Sequence, residues 1–201
     1  MSKRCDLTFV KATNRGGRLH SAVYEAKDLY NGTIGYLGDY VSGSTEIKKF
    51  LKPTTQLVAG AMPVIVMKPE IVYKESKRKL GDFVNVKGKA FSVVPLENLD
   101  GFDLSADYFN VSTKDAPSGG GARAVAVGDK FIIKAEADEV GTQFEYIKGT
   151  VDPSTHACYF KVVGIRESHY NNIICDNGTD NAVSLPQPYK MVALEVIKTT
   201  V

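Results

Sequence analysis

The second half of this chain alternates apolar and polar residues in short runs that turn-forming residues separate. A period of two predicts β-strands, because successive side chains of a strand point to opposite faces of a sheet. We predict strands at residues 131–135, 144–148, 158–163 and 191–197. In the last strand, the same alternation places Val192, Leu194 and Val196 on one face, which we expect to point inward.

Turn and proline signals divide the chain into three parts. We predict an extended basic arm at residues 1–20, a β-hairpin or extended subdomain at residues 21–80, and a main β domain at residues 81–201. The fold class is therefore mainly β, an antiparallel β-barrel or sandwich with an extended N-terminal arm and one or two short helices.

Turn-forming and helix-stopping residues within these three parts predict one hairpin and two short helices. Asn31-Gly32 is a strong turn signal and predicts a hairpin between residues 22–26 and 33–37. A short helix is predicted at residues 44–52, where Pro53 would stop it, and another at residues 102–110. Whether residues 22–75 form their own domain or complete the later barrel is left open by the sequence.

Composition excludes a membrane protein and a secreted one. The chain has 201 residues, of which 43% are hydrophobic and 24% charged, as in soluble globular proteins. Its longest apolar run, residues 57–67, is too short to span a bilayer and contains Pro63. Residues 1–20 carry charge throughout, so they do not match a secretory signal peptide. We expect a protein made in a cytoplasm, with no membrane partner.

Charge is unevenly distributed along the chain. Residues 1–100 carry a net charge of +6 and residues 101–201 a net charge of −4. This asymmetry favours head-to-tail self-association or docking onto an acidic partner, although ordinary solvated faces would also produce it.

Two basic segments are the candidate interaction elements. The first is the arm, which we expect to lie across a neighbouring subunit and to be removable without loss of the fold. The second is the charged connector at residues 74–79, the densest basic cluster in the chain. The candidate interaction residues are Lys3, Arg4, Lys11, Arg15, Arg18, Lys74, Lys77, Arg78 and Lys79.

No catalytic, cofactor-binding or metal site is predicted. His156 and Cys158 would share a strand face, but neighbouring structural side chains explain the pair better than a thiol–imidazole dyad does. Residues 176–181 are rich in oxygen ligands without the spacing of an EF-hand. Residues 118–123 are rich in glycine but lack the Gly-Lys-Ser/Thr ending of a phosphate-binding loop. An enzyme is therefore disfavoured.

The order of segments between residues 25 and 110 resembles that of a known class of proteins. The segments that carry the likeness are residues 25–33, 67–73, 80–83, 88–91 and 102–105. Their layout resembles small virion structural proteins of tailed bacteriophages, of the head decoration or accessory capsid type. The resemblance implies a non-enzymatic protein that coats an assembled shell in the virion, after assembly in the host cytoplasm. It also implies binding to the major capsid protein and to neighbouring copies as a homo-oligomer, with no cofactor.

Two alternatives stay open. One is a head–tail connector or tail component, which the sequence hardly separates from a decoration protein. The other is a single-stranded nucleic acid-binding protein with an OB-like barrel. Its stacking platforms would be exposed aromatic side chains at Tyr24, Tyr30, Tyr36 and Tyr40. Nucleic acid is thus a possible partner that the residues do not favour.

Overall fold

The structure is a computed structural model that describes residues 5–11, 19–53, 63–69, 83–109, 124–134, 143–152, 155–175 and 182–199. No helix within these ranges has the length and apolar character that crossing a membrane requires. The strands are β1 (Cys5–Lys11), β2 (His20–Val23), β3 (Ile34–Tyr40), β4 (Ile47–Leu51), β5 (Pro63–Val66), β6 (Phe91–Pro95), β7 (Gly101–Ser105), β8 (Lys130–Lys134), β9 (Gln143–Ile147), β10 (Cys158–Cys175) and β11 (Ala182–Lys198). Two 3₁₀ helices, η1 (Leu96–Asn98) and η2 (Ala106–Tyr108), flank β7. The mainly β fold class is confirmed.

Strands β2 to β6 close into a barrel in the order β2-β4-β3-β5-β6, and β6 pairs back onto β2. Neighbouring strands are antiparallel except β2 and β4, which run parallel. The barrel has its own core, which includes Ala22, Phe50, Val64 and Phe91. The barrel therefore requires β6, which lies beyond the boundary predicted at residue 80.

The remaining strands form a six-stranded sheet in the order β1-β7-β11-β10-β8-β9. All of its neighbouring strands are antiparallel. Its two longest strands, β10 with 18 residues and β11 with 17, are consecutive and pair with each other along their whole length. The strands predicted in the second half are confirmed, and β10 and β11 extend well beyond the predicted ranges.

One core joins the barrel to the sheet. All four residues of β5 are buried, because both faces of that strand are covered. Val64 and Val66 belong to the barrel core, whereas Ile65 belongs to a larger cluster that it shares with Phe102 and Phe160 of the sheet. A strand buried on both faces reads as a continuous apolar run rather than an alternating one.

A buried polar junction lies beside this core, at the turn that precedes β3. The side-chain amide of Asn31 donates to the Lys68 carbonyl (2.7 Å) and accepts from the Lys68 backbone N–H (3.1 Å). It also accepts from Asn85 Nδ2 (3.1 Å). The Asn31 carbonyl accepts the hydroxyl of Tyr108 from η2. Asn31 is 1% exposed, so these bonds connect the barrel to the sheet away from solvent.

The residue after Asn31 must be glycine for two reasons. Gly32 has a φ of +86°, a conformation that side chains with a Cβ rarely adopt. A Cβ at this position would also lie 2.6 Å from Leu104 Cδ2, well inside van der Waals contact. The predicted turn at Asn31-Gly32 is thus confirmed, and the sheet packs closely against it.

The inward face predicted for the last strand is confirmed. Val192, Leu194 and Val196 are 1%, 2% and 7% exposed and belong to the larger core. At the other end of the chain, residues 5–11 of the predicted arm form β1, which pairs with β7. Cys5 is buried in the same core. Residues 5–11 are thus part of the sheet, so removing residues 1–20 would take away a paired strand and a core side chain, and the effect of that removal on the fold stays a prediction.

Three local predictions are corrected by the strand pairing. The predicted hairpin is wrong, because β2 pairs with β4 and β6 whereas β3 pairs with β4 and β5. The helix at residues 44–52 is wrong, because β4 occupies Ile47–Leu51 and buries Phe50 between exposed neighbours. The helix at residues 102–110 is reduced to η2, because the residues before it form β7.

Candidate interaction surfaces

The long strands β10 and β11 continue past the strands that flank them. Residues of β8 pair with β10 only at Phe160 and Lys161, and β7 pairs with β11 only from Met191 to Glu195. Within the described part of the chain, residues 167–175 and 182–190 pair only with each other. We call these two segments the ribbon. Its nine residue pairs correspond to a length of about 30 Å.

An ion pair fixes the base of the ribbon to the sheet. Arg166 Nε donates to Asp103 Oδ2 at 2.7 Å. Arg166 pairs with Met191 and Asp103 pairs with Ala193, so this bond passes over β11 and joins β10 to β7. The Asp103 side chain is only 8% exposed. A buried carboxylate needs such a partner, because an unpaired buried charge is strongly destabilising.

Two exposed apolar side chains lie next to the ribbon on β10. Val163 is 45% exposed and Ile165 is 40% exposed. The register of β10 against β11 shifts between Val162 and Gly164, where the strand bulges. Bulges often re-aim side chains at the edge of a sheet. The exposed apolar surface therefore lies where the ribbon leaves the sheet.

The ribbon is not among the predicted elements, although the sequence contains a usable signal for it. The predicted strands at residues 158–163 and 191–197 include none of the ribbon residues, 167–175 and 182–190. Residues 176–181, which are rich in Asp, Asn and Gly, lie between Ile173-Ile174 and Val183. A turn-forming stretch flanked by β-branched residues is a hairpin signal.

Most of the predicted interaction residues lie outside the described residues. These are Lys3, Arg4, Arg15, Arg18, Lys74, Lys77, Arg78 and Lys79. Lys11 is the last residue of β1, and its backbone is paired with Gly101. The roles of the arm and of the connector at residues 74–79 remain predictions.

The four tyrosines considered as stacking platforms lie in different environments. Tyr24 packs edge-on against Phe50 of the barrel core, with 6.0 Å between ring centroids. Tyr30 and Tyr36 pack against the larger core. Tyr40 is 52% exposed, and Lys48 Nζ lies 5.1 Å from its ring centroid. Three of the four rings therefore pack against other side chains, and Tyr40 is the tyrosine whose ring is largely exposed to solvent.

His156 and Cys158 are both buried, at 7% and 4% exposure. Burial raises the pKa of the Cys158 thiol from 9.0 to about 12, because the interior disfavours the charged thiolate. A cysteine nucleophile acts as the thiolate. Cys158 is therefore a structural residue of the core, in which it packs with the other buried apolar residues of β10.

We expect Cys158 to resist alkylation by iodoacetamide in the folded protein at about pH 8. With a pKa of about 12 rather than 9.0, its thiolate fraction falls roughly a thousandfold, and burial also limits access. Peptide mapping by mass spectrometry should find Cys158 unmodified in buffer and fully modified in denaturant. Rapid modification in buffer would contradict both the burial and the direction of the pKa shift.

Two other segments with possible ligand chemistry, residues 118–123 and 176–181, lie outside the described residues. Elsewhere, the residues that the structure describes contain no group of three or more His, Cys, Asp or Glu side chains arranged to hold a metal ion. In comparisons with known proteins, no family model, no curated protein and no solved structure matched this chain.

Proposed function

We propose that this chain is a non-enzymatic structural protein of a tailed-bacteriophage virion. In this role it decorates or cements the capsid by binding the major capsid protein and neighbouring copies of itself. The observation that carries the proposal is the ribbon, which extends nine residue pairs beyond the strands that flank it. A two-stranded ribbon by itself is only marginally stable, so contact with another molecule would stabilise it.

The rest of the fold supports the same function. Among the described strands, β1 and β9 are the outer strands of the six-stranded sheet, and no described strand pairs with their outer edges, where a neighbour could bind. Val163 and Ile165 add exposed apolar surface beside the ribbon. In a closed shell, many modest contacts of this type act together, and their combined avidity exceeds the strength of any one interface.

The alternatives draw less support from the described residues. A head–tail connector would use the same edges, but it would form closed rings in the absence of a shell. A single-stranded nucleic acid binder needs several exposed rings beside basic side chains. Among the four candidate tyrosines, only Tyr40 with Lys48 has that arrangement.

The proposal is tested by mixing the purified protein with empty shells of the phage that encodes it and sedimenting the shells. We expect the protein to co-sediment and to saturate at a fixed ratio to the capsid protein. Replacing the arm residues Lys3, Arg4, Arg15 and Arg18 with serine should weaken this binding about tenfold or more. Substitution is used instead of deletion because β1 contributes Cys5 to the core.

The matched control removes the same number of charges from the barrel surface. It replaces the exposed residues Lys27, Lys49, Lys87 and Lys89 with serine and should bind shells as the unchanged protein does. Absence of the unchanged protein from the shell pellet would overturn the proposed function. Equal weakening of shell binding by both variants would show that the arm is not part of the interface with the shell. Tight, salt-sensitive binding to an oligonucleotide would instead favour the nucleic acid-binding alternative.

A further inference from the structure

Neither outer edge of the ribbon is paired by a described residue, and the two edges differ in their backbone donors. On its inner side β10 pairs with β11 as far as Cys175, whereas on its outer side β8 pairs with it only at Phe160 and Lys161. The Val162 N–H still reaches the Asp129 carbonyl at 2.9 Å. From Glu167 to Cys175, no described residue pairs with the outer edge of β10.

The prolines of β11 identify which backbone groups lie on that edge. Pro186 pairs with Asn171, and Pro188 pairs with His169. Proline has no N–H, so both must be non-hydrogen-bonded pairs of the antiparallel ladder. In such pairs the backbone N–H and C=O groups point away from the partner strand. The outer edge of β10 therefore displays these groups at Glu167, His169, Asn171, Ile173 and Cys175.

The opposite edge of the ribbon is blocked by the same prolines. Pro186 and Pro188 occupy positions on β11 whose N–H groups would otherwise point outward, so two successive donors are missing there. Proline on an outer strand is one of the devices by which proteins prevent pairing with other chains. The ribbon thus has one blocked edge and one edge able to pair.

The β10 segment of the ribbon lacks two of the usual protections against pairing, proline and lysine, and Glu167 at its base is its one acidic side chain. Residues 167–175 contain no proline and no lysine, and residues 167–189 contain neither lysine nor arginine. Tyr170, Ile173 and Ile174 are residue types that favour strands. An unprotected edge of this length is a template for another strand.

We propose that this edge pairs with the same edge of a second copy of this chain. Antiparallel pairing about a two-fold axis at Asn171 places Glu167 opposite Cys175 and His169 opposite Ile173. The five displayed residues of each copy would then form about ten backbone hydrogen bonds. This pairing opposes no like charges, and it converts two marginal two-stranded ribbons into one four-stranded sheet.

The pattern of donors and acceptors on the β10 edge explains why a second copy of this chain fits there. A strand edge with alternating donors and acceptors is complementary to itself when it runs antiparallel, as a two-fold interface requires. Because Pro186 and Pro188 disfavour pairing on the β11 edge, pairing through the ribbon ends at two copies and does not grow into a fibre. The inference extends the proposed function by naming the contact between neighbouring copies, and it relies on that function only for the place of the dimer on a shell.

The test compares two proline substitutions in the full-length protein. Asn171→Pro removes an outward donor from the β10 edge without breaking a β10–β11 hydrogen bond. Ser184→Pro is the matched control, because Ser184 lies two residues before Pro186 and so points its N–H to the edge that is already blocked. Sedimentation velocity over a concentration series should show dimers for the unchanged protein and for Ser184→Pro. For Asn171→Pro, we expect the dissociation constant to rise about 100-fold or more.

Each outcome decides the proposal, and none requires a shell. A monomeric unchanged protein at concentrations up to about 100 μM, which means a dissociation constant above that value, would overturn it. Equal dissociation by both variants, or by neither, would also overturn it, because the β10 edge would then have no special role. Hydrogen exchange provides an independent readout, in which the amides of His169, Asn171 and Ile173 should be protected in the dimer. A dimer that fails to bind shells would count against the proposed function alone.

Discussion

Replacing Phe160 with alanine is expected to lower the free energy of unfolding by about 3–5 kcal/mol. Phe160 is completely buried, and its ring centroid lies 5.8 Å from that of Phe102 and 5.4 Å from that of Phe144. The substitution removes apolar contacts and leaves a cavity in the core that joins the barrel to the sheet. Since small domains are stable by only about 5–15 kcal/mol, much of the total would be lost. Urea denaturation followed by circular dichroism measures the change.

The control for this prediction lies three residues further along the same strand. Val163 is 45% exposed, so Val163→Ala should change the free energy of unfolding by no more than about 0.5 kcal/mol. Phe160→Leu keeps most of the apolar volume and should cost about 1.5 kcal/mol or less. A similar effect for Phe160→Ala and Val163→Ala would contradict the position of the main core.

The second large effect is expected for Asn31→Ala, which should lower the free energy of unfolding by about 3 kcal/mol. The change removes the amide that bonds both backbone groups of Lys68 and the side chain of Asn85. Asn31 is 1% exposed, so water cannot replace these bonds without opening the junction. Buried polar groups left without a partner pay their full desolvation cost.

Thermal unfolding and urea denaturation both report this loss, and Asn98→Ala is the matched control. Asn98 lies in η1 and is only partly buried, so the same chemical change there should cost less than about 1 kcal/mol. Equal costs at the two positions would show that the amide of Asn31 is not what holds the junction together.

The strands of the second half could be predicted because their signal is local. Val192, Leu194 and Val196 alternate with polar or smaller residues, and each apolar side chain enters the core. The signal at residues 44–52 was ambiguous, because a short run of mixed polarity fits one turn of helix as well as a strand. Pairing with β2 and β3 decided the matter. β3 directly precedes β4 in the chain, but Ser21 of β2 pairs with Ile47 from far outside that local window.

The polar junction and the ribbon could not be derived in the same way. Asn31 bonds to Lys68, 37 positions away, and to Tyr108, 77 positions away, so local spacing contains no trace of the contact. The turn signal at Asn31-Gly32 was read correctly, but the strands on either side pair elsewhere. For the ribbon, periodicity indicates strands but not how far they extend past their neighbours. That extent depends on the lengths of β7 and β8.

The strand order also has a consequence for the sequence of events during synthesis. The barrel uses residues 20–95 without interruption, so it can close as soon as β6 leaves the ribosome. By contrast β1, made first, must wait for β7, and β7 gains its other neighbour only when β11, the last strand, is complete. Such distant pairings are slow to form, because a long loop must close before any contact stabilises it. During synthesis the barrel can therefore be closed while β1 still has no partner, and the edge of β1 stays open until β7 has been made and docked on β11.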